Sequence, residues 1–228
     1  MKINLNVVNP PPLFIVFCLT GDKFPAKFFD SFLDLMAYCH QRRIRFMVVR
    51  RNSPVVYFVR NSCLGGEVMR GVDQKPFNST LNYTHIMWID RDISFKPEQF
   101  QTLLDLNQDI VSGVYKMLDN IHYAVVEKWD EVYFEKHGTF KFLTDDDMKK
   151  NDYTLIDVDY TGLGFMLVKR GVFESLPYPW FRPIFYKIGN CVDFCSEDVG
   201  FCRSIKEKGY KIYIDPRVRV GHLKEVKL

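Results

Sequence analysis

Asp90 and Asp92 flank Arg91 at the end of an apolar run, Ile86-Met87-Trp88-Ile89. In an extended segment, side chains two residues apart point the same way, so the two carboxylates converge beyond the end of a strand. Like charges held close are costly unless a cation sits beside them. A hard divalent ion, Mg²⁺ or Mn²⁺, meets that need and keeps positions open for diphosphate oxygens. The competing reading is a surface turn with an internal ion pair, and the place of the pair at the tip of the most apolar central strand argues for metal.

Three further elements could join this chemistry. Asp157-Val158-Asp159 leads into Tyr160-Thr161-Gly162-Leu163-Gly164-Phe165, where the glycines suggest close approach of a ligand or another backbone, against the simpler reading of a strand with one solvent-facing side. Ser196-Glu197-Asp198 reads as a helix N-cap followed by two acids in the first turn, a sufficient explanation that still leaves a carboxylate available as a base. His222 follows the last expected strand, within reach of a metal at that end of a sheet. Cys191, Cys195 and Cys202 cluster, but no second CxxC or paired histidine completes four zinc ligands, so they read as small buried hydrophobes.

These groups need a scaffold. Leu13–Leu19, Ile44–Val49, Thr84–Ile89, Ile110–Tyr115 and Lys211–Ile214 read as strands. Helices are expected from Pro25 to Arg43, over Cys63–Val72, Lys96–Leu106 and Glu197–Lys208, with a short one over Gly171–Leu176. That alternation implies an α/β domain with a mostly parallel central sheet. His122–Val126, Glu131–Phe134, Thr139–Phe142 and Leu155–Asp159 read as short strands of a smaller mixed or antiparallel portion, and Thr144–Asp152 as a solvated loop.

With 228 residues, 47% of them hydrophobic, the chain can bury one large core, and a net charge of +3 gives no field for collecting nucleic acid. The apolar stretch after Pro10-Pro11-Pro12 is too short to cross a bilayer and lacks a cleavage site. No membrane segment is expected, and the six dispersed cysteines suit a reducing compartment, hence the cytoplasm. Asn78-Ser79-Thr80 and Asn82-Tyr83-Thr84 match the glycosylation acceptor pattern, which matters only in a secreted chain.

Taken in order, Thr20-Gly21-Asp22, the DxD at 90 to 92, Thr161 to Phe165, Glu197-Asp198 and His222 make the chain resemble the GT-A fold glycosyltransferases, nucleotide-sugar-dependent enzymes that include the inverting family 2. The resemblance spans nearly the whole chain, with each motif weak alone. More narrowly, the chain resembles the chlorella-virus glycosyltransferases that decorate a capsid glycan, which would place it in a host cytoplasm and as one domain of a larger polypeptide. It implies a Rossmann-like GT-A domain over 1–228, its nucleotide-binding half at about 1–115 and its acceptor-binding half at about 116–228.

The implied activity is metal-dependent inverting transfer from a UDP-sugar to a glycan hydroxyl. By this resemblance Asp92 and His222 ligate the metal, Asp90 contacts ribose or metal-bound water, and the mixed oxygen and imidazole shell tilts the choice toward Mn²⁺ over Mg²⁺. Asp198 is the general base, with Glu197 orienting the acceptor or exchanging roles with it. Thr20, Gly21, Arg50, Arg70 and Arg91 are candidate donor contacts, and Asp159 and Gly162 line the sugar pocket. The arginines at 50 and 51 stand where the family often has an acid to read uracil. The aromatic segment Tyr178–Tyr186 either stacks on acceptor sugars or packs in the core. Two other functions remain open, a metal-dependent nucleotidyltransferase and a non-catalytic carbohydrate-binding module of the same fold.

Overall fold

In the computed structural model, residues 12–150, 152 and 154–224 are described, which leaves Pro10 and Pro11 outside. The chain begins with β1 (Phe14–Thr20), α1 (Ala26–Gln41), β2 (Arg45–Arg51) and α2 (Val56–Cys63). After a loop come β3 (His85–Asp90), β4 (Ile93–Ser94), α3 (Pro97–Asp105) and β5 (Ile110–Val114). The next segment holds β6 (Val125–Val126), α4 (Glu131–His137), α5 (Asp145–Lys150), β7 (Ile156–Val158), β8 (Tyr160–Thr161) and β9 (Phe165–Lys169). A hairpin of β10 (Ile184–Ile188) and β11 (Cys191–Cys195) leads into α6 (Glu197–Glu207), β12 (Ile212–Arg219) and β13 (Gly221–His222).

The main sheet has the order β2-β1-β3-β9-β5-β12-β7. β1 pairs in parallel with β2 and β3, and β5 with β12, whereas β9 and β7 run against their neighbours. Alternation along the strands divides the core into two layers. Val16, Cys18, Ile86 and Trp88 face α2 and α6, while Ile15, Phe17, Met87 and Ile89 face α1 and α3. Helices thus cover both faces of the sheet, as its parallel strands require.

Several expectations change. The second helix lies at 56–63 rather than 63–72, where only a single 3-10 turn, Val68–Arg70, forms around Gly65, Gly66 and Gly71. Residues 131–134 begin a helix because Asp130 accepts the Tyr133 N–H at 2.8 Å and Gly138, with φ of 66°, ends it. The acidic stretch from 144 includes α5: Thr144 stands three residues before Asp147, whose carboxylate accepts the Thr144 N–H at 3.0 Å. Residues 139–142 form no strand, and of 122–126 only β6 is one. β9 was hidden behind the glycine-rich stretch before it, yet it fills the centre of the sheet.

Candidate active site

Register builds the site. Thr20 stands opposite Arg51 on one side and Asp90 on the other, so three strands end in one row. The Thr20 hydroxyl donates to Asp90 Oδ1 at 2.9 Å. Gly21 follows with φ of +114°, a conformation that favours glycine, and a Cβ there would lie 2.7 Å from Cδ of the exposed Arg91 side chain, which would have to shift. Beyond β3, the short ribbon of β4 with β13 sets His222 opposite Ile93, beside Asp92. Such a crevice at the C-terminal ends of parallel strands is where open α/β sheets bind ligands.

His222 Nδ1 lies 2.8 Å from the Lys116 carbonyl, which can only accept, so Nδ1 carries the proton and Nε2 faces Asp92 Oδ2 at 3.2 Å. The Lys224 ammonium reaches the same oxygen at 3.2 Å. Burial raises the Asp92 carboxyl, but His222 and Lys224 outweigh it and hold the group below its ordinary value. By accepting from Nε2–H of the charged ring, Asp92 in turn raises the His222 imidazole above its ordinary value.

Two adjoining clefts open here. One, of about 530 Å³, is lined by Thr20, Gly21, Asn52, Ser53 and Asp90. The other, of about 810 Å³, is lined by Lys23, Lys27 and Lys224. They share Asp22, Arg91 and Asp92 along their border.

The acids opening α6 have different surroundings. Glu197 is 6% exposed and accepts from Arg60 Nε at 3.1 Å. Burial holds its carboxyl above the ordinary value, while Arg60 pulls the other way. Asp198 accepts the Tyr160 hydroxyl at 2.8 Å and its own neighbour's Val199 N–H at 2.8 Å, and the Ser196 hydroxyl also donates to it. Ser196 occupies the N-cap position, but its side chain serves Asp198 instead of the helix backbone.

The structure does not gather every expected residue. Asp90 turns toward Thr20 and toward Arg60 Nη2 at 3.0 Å, and among the described residues no group of three His, Cys, Asp or Glu side chains is arranged to hold a metal ion. Asp92 with His222 is the pair brought together. Arg50 lies over the Phe24 ring at 6.0 Å, while Asn52 and Ser53 line the cleft in its place. Arg70 donates to the Gly65 carbonyl on an exposed turn. Asp159 is tied to Lys206 at 2.9 Å and to the Trp129 N–H at 2.9 Å, away from both clefts.

The space above Gly162 and Gly164 belongs to Tyr115, so these glycines admit a protein side chain rather than a ligand. Trp180 and Phe181 are buried core residues, and in that segment Phe185 alone of the large aromatics stands well exposed, paired with Phe194 across the hairpin. Cys195 and Cys202 are buried, and burial pushes the Cys202 thiol up to about 12, as suits inert core cysteines. Arg60, Tyr115, Tyr160 and Lys224 went unnoticed in the sequence as site residues. Arg60 carries no local signal, because its partner Glu197 lies 137 residues away in sequence.

No family model and no curated protein matches this sequence. Solved structures do. The crystal structure of A197 from STIV matches with a TM-score of 0.51 and 17% identity, over 95% of this chain and 98% of that one. GalNAc-T7 with UDP, GalNAc and Mn²⁺ matches with a TM-score of 0.57 and 10% identity, over 94% of this chain and 44% of that one. A glycosyltransferase involved in glycosylation of the major capsid of PBCV-1 matches with a TM-score of only 0.33 and 14% identity, over 72% of this chain and 62% of that one, which lends the narrower viral resemblance no weight. Among the described residues no helix is long and apolar enough to cross a membrane. The likeness extends to architecture: a mixed, mostly parallel sheet between helices, with small antiparallel ribbons at its edge, is the Rossmann-like GT-A fold.

Proposed function

We propose that this protein is a metal-dependent glycosyltransferase that moves a sugar from a UDP-sugar to a glycan hydroxyl, inverting the anomeric carbon. The observation that carries this reading is the pairing of Asp92, on the border of the two clefts, with His222 behind it, whose Nδ1 is committed to a carbonyl. Such a second partner is the usual companion of a metal-ligating imidazole, and it presents Nε2 toward a carboxylate oxygen. Asp92 Oδ2 also draws the Lys224 ammonium, marking a point where positive charge is favoured. Asp92 and His222 would supply two of the ligands to Mn²⁺ or Mg²⁺, one oxygen and one imidazole nitrogen. When bound, the ion neutralises charge growing on the departing diphosphate.

The chain's own groups do the rest. Lys23, Lys27 and Arg91 surround the diphosphate side with positive charge, while Asn52 and Ser53 offer hydrogen bonds to the base. Asp198, oriented by Tyr160 and Ser196, takes the proton of the acceptor hydroxyl as that oxygen bonds to the anomeric carbon. The bond from that carbon to UDP breaks, and its electron pair leaves with the diphosphate. In this reading residues 1–115 and 116–228 are donor and acceptor halves of one domain. GalNAc-T7, crystallised with UDP, GalNAc and Mn²⁺, supports the choice of donor class through a shared fold.

A screen of UDP-sugars with Mn²⁺ and glycan acceptors tests the proposal by its products. Release of UDP, abolished in Asp198→Asn while UDP binding survives, is expected. Release of pyrophosphate would make the protein a nucleotidyltransferase, and glycan binding without turnover of any donor would make it a binding module.

A further inference from the structure

α2 turns two neighbouring polar side chains inward, Arg60 at 4% exposure and Asn61 at 5%. Asn61 Nδ2 donates to the carbonyls of Tyr57 and Phe181, each at 2.7 Å, and its Oδ1 accepts the Phe181 N–H at 3.2 Å. The loop after the helix is pressed against the same segment, since a Cβ at Gly66 would meet Tyr178 Cε2 at 2.7 Å and the Asn61 carbonyl at 2.9 Å. Val56 and Val59, on the same helix, line the cleft with Thr20 and Asp90. One helix therefore borders the cleft and is latched to the segment that precedes the β10–β11 hairpin and α6.

Arg60 extends the latch. Its Nη2 bonds Asp90 Oδ2 at 3.0 Å and its Nε bonds Glu197 Oε1 at 3.1 Å, so one guanidinium joins the tip of β3 to the N-terminus of α6. It lies over the Trp88 ring at 5.5 Å, and its Nη1 is buried with no hydrogen-bond partner among the described residues. A buried guanidinium with an unpaired amino group is a poor device for stability, because desolvation offsets much of the attraction. What it supplies is geometry: a planar fork fixes two carboxylates relative to each other, which a lysine's single nitrogen does not.

We propose that Arg60 is a positioning residue that holds the donor-side carboxylate Asp90 and the helix terminus bearing Asp198 in one frame. The proposal rests on the transferase reading for what passes between those two points. Arg60→Lys keeps the charge and loses the fork. It should lower kcat by about 30-fold while the donor KM stays within about threefold, since small misplacements of reacting groups are costly to rate. Its melting temperature should fall, because one carboxylate loses its partner, while the protein stays cooperatively folded at the assay temperature. Unchanged kcat in a folded Arg60→Lys protein would overturn the proposal.

A second measurement stands apart from turnover. The Nε–H resonance of Arg60 in the ¹⁵N spectrum of the parent protein should be resolved and slow to exchange. Because the fork is shared, Asp90→Asn should shift that resonance although Nε itself touches Glu197. A resonance that exchanges like a free arginine, or ignores Asp90→Asn, would overturn the grip. If the parent turns over no UDP-sugar while this coupling is present, the transferase reading falls and the coupling stands.

Discussion

Tyr160 donates its hydroxyl to Asp198 Oδ2 at 2.8 Å from a side chain only 7% exposed. Burial first, and the Asp198 charge second, push the phenol well above its ordinary value, so it remains a donor throughout the neutral range. Tyr160→Phe should therefore lower kcat with little change in donor KM. It should also cost about 1.5–3 kcal/mol of stability, the worth of a hydrogen bond to a charged group. Steady-state kinetics with a urea melt checks both, and an unchanged kcat would show that Tyr160 does not orient Asp198 for the reaction.

Gly162 lies against Tyr115. A Cβ there would fall on the Tyr115 hydroxyl and 2.9 Å from its Cζ. Gly162→Ala should destabilise the fold by about 1–3 kcal/mol through overpacking. Tyr115→Phe removes the obstructing oxygen at the cost of its 3.3 Å bond to the Gly164 N–H, so the double variant should lose less than the sum of the single losses. Strict additivity in a denaturation cycle would contradict the packing described.

Burial pushes the His85 imidazole down to about 4, with the Lys169 ammonium adding to it. An unfolded histidine titrates at about pH 6.5, so between these two values the unfolded chain binds the extra proton. The stabilising effect of keeping His85 neutral is fully present above about pH 6.5 and is lost as the pH falls toward about 4. Urea midpoints measured across this range should fall less steeply in His85→Gln than in the parent. Parallel profiles would show that His85 is not protonated on unfolding.

The apolar runs at β1 and β3 were legible because strands buried on both faces need unbroken hydrophobic sequence, and Pro97 marks the start of α3 as plainly. α4 and α5 carry helix-start signals at Asp130 and Thr144, but such short helices have too few turns for periodicity to register. The DxD tip, Asp198 and His222 are visible as residue types at strand and helix ends. Arg60 is not, because its role arises from a contact across 137 residues of sequence that local pattern does not encode. The tyrosines above Gly162 and beside Asp198 are hidden for the same reason.

His222 Nε2 and Asp92 Oδ2 meet at 3.2 Å, the point at which the proposed metal-dependent donor binding would occur. Calorimetric titration of UDP, with and without Mn²⁺, into the parent and His222→Ala proteins measures it directly. UDP should bind the parent at least about tenfold more tightly with Mn²⁺, a coupling of about 1.4 kcal/mol, and His222→Ala should lose that gain while remaining folded. Equal affinity with and without the ion in the parent would contradict metal-assisted transfer at this site.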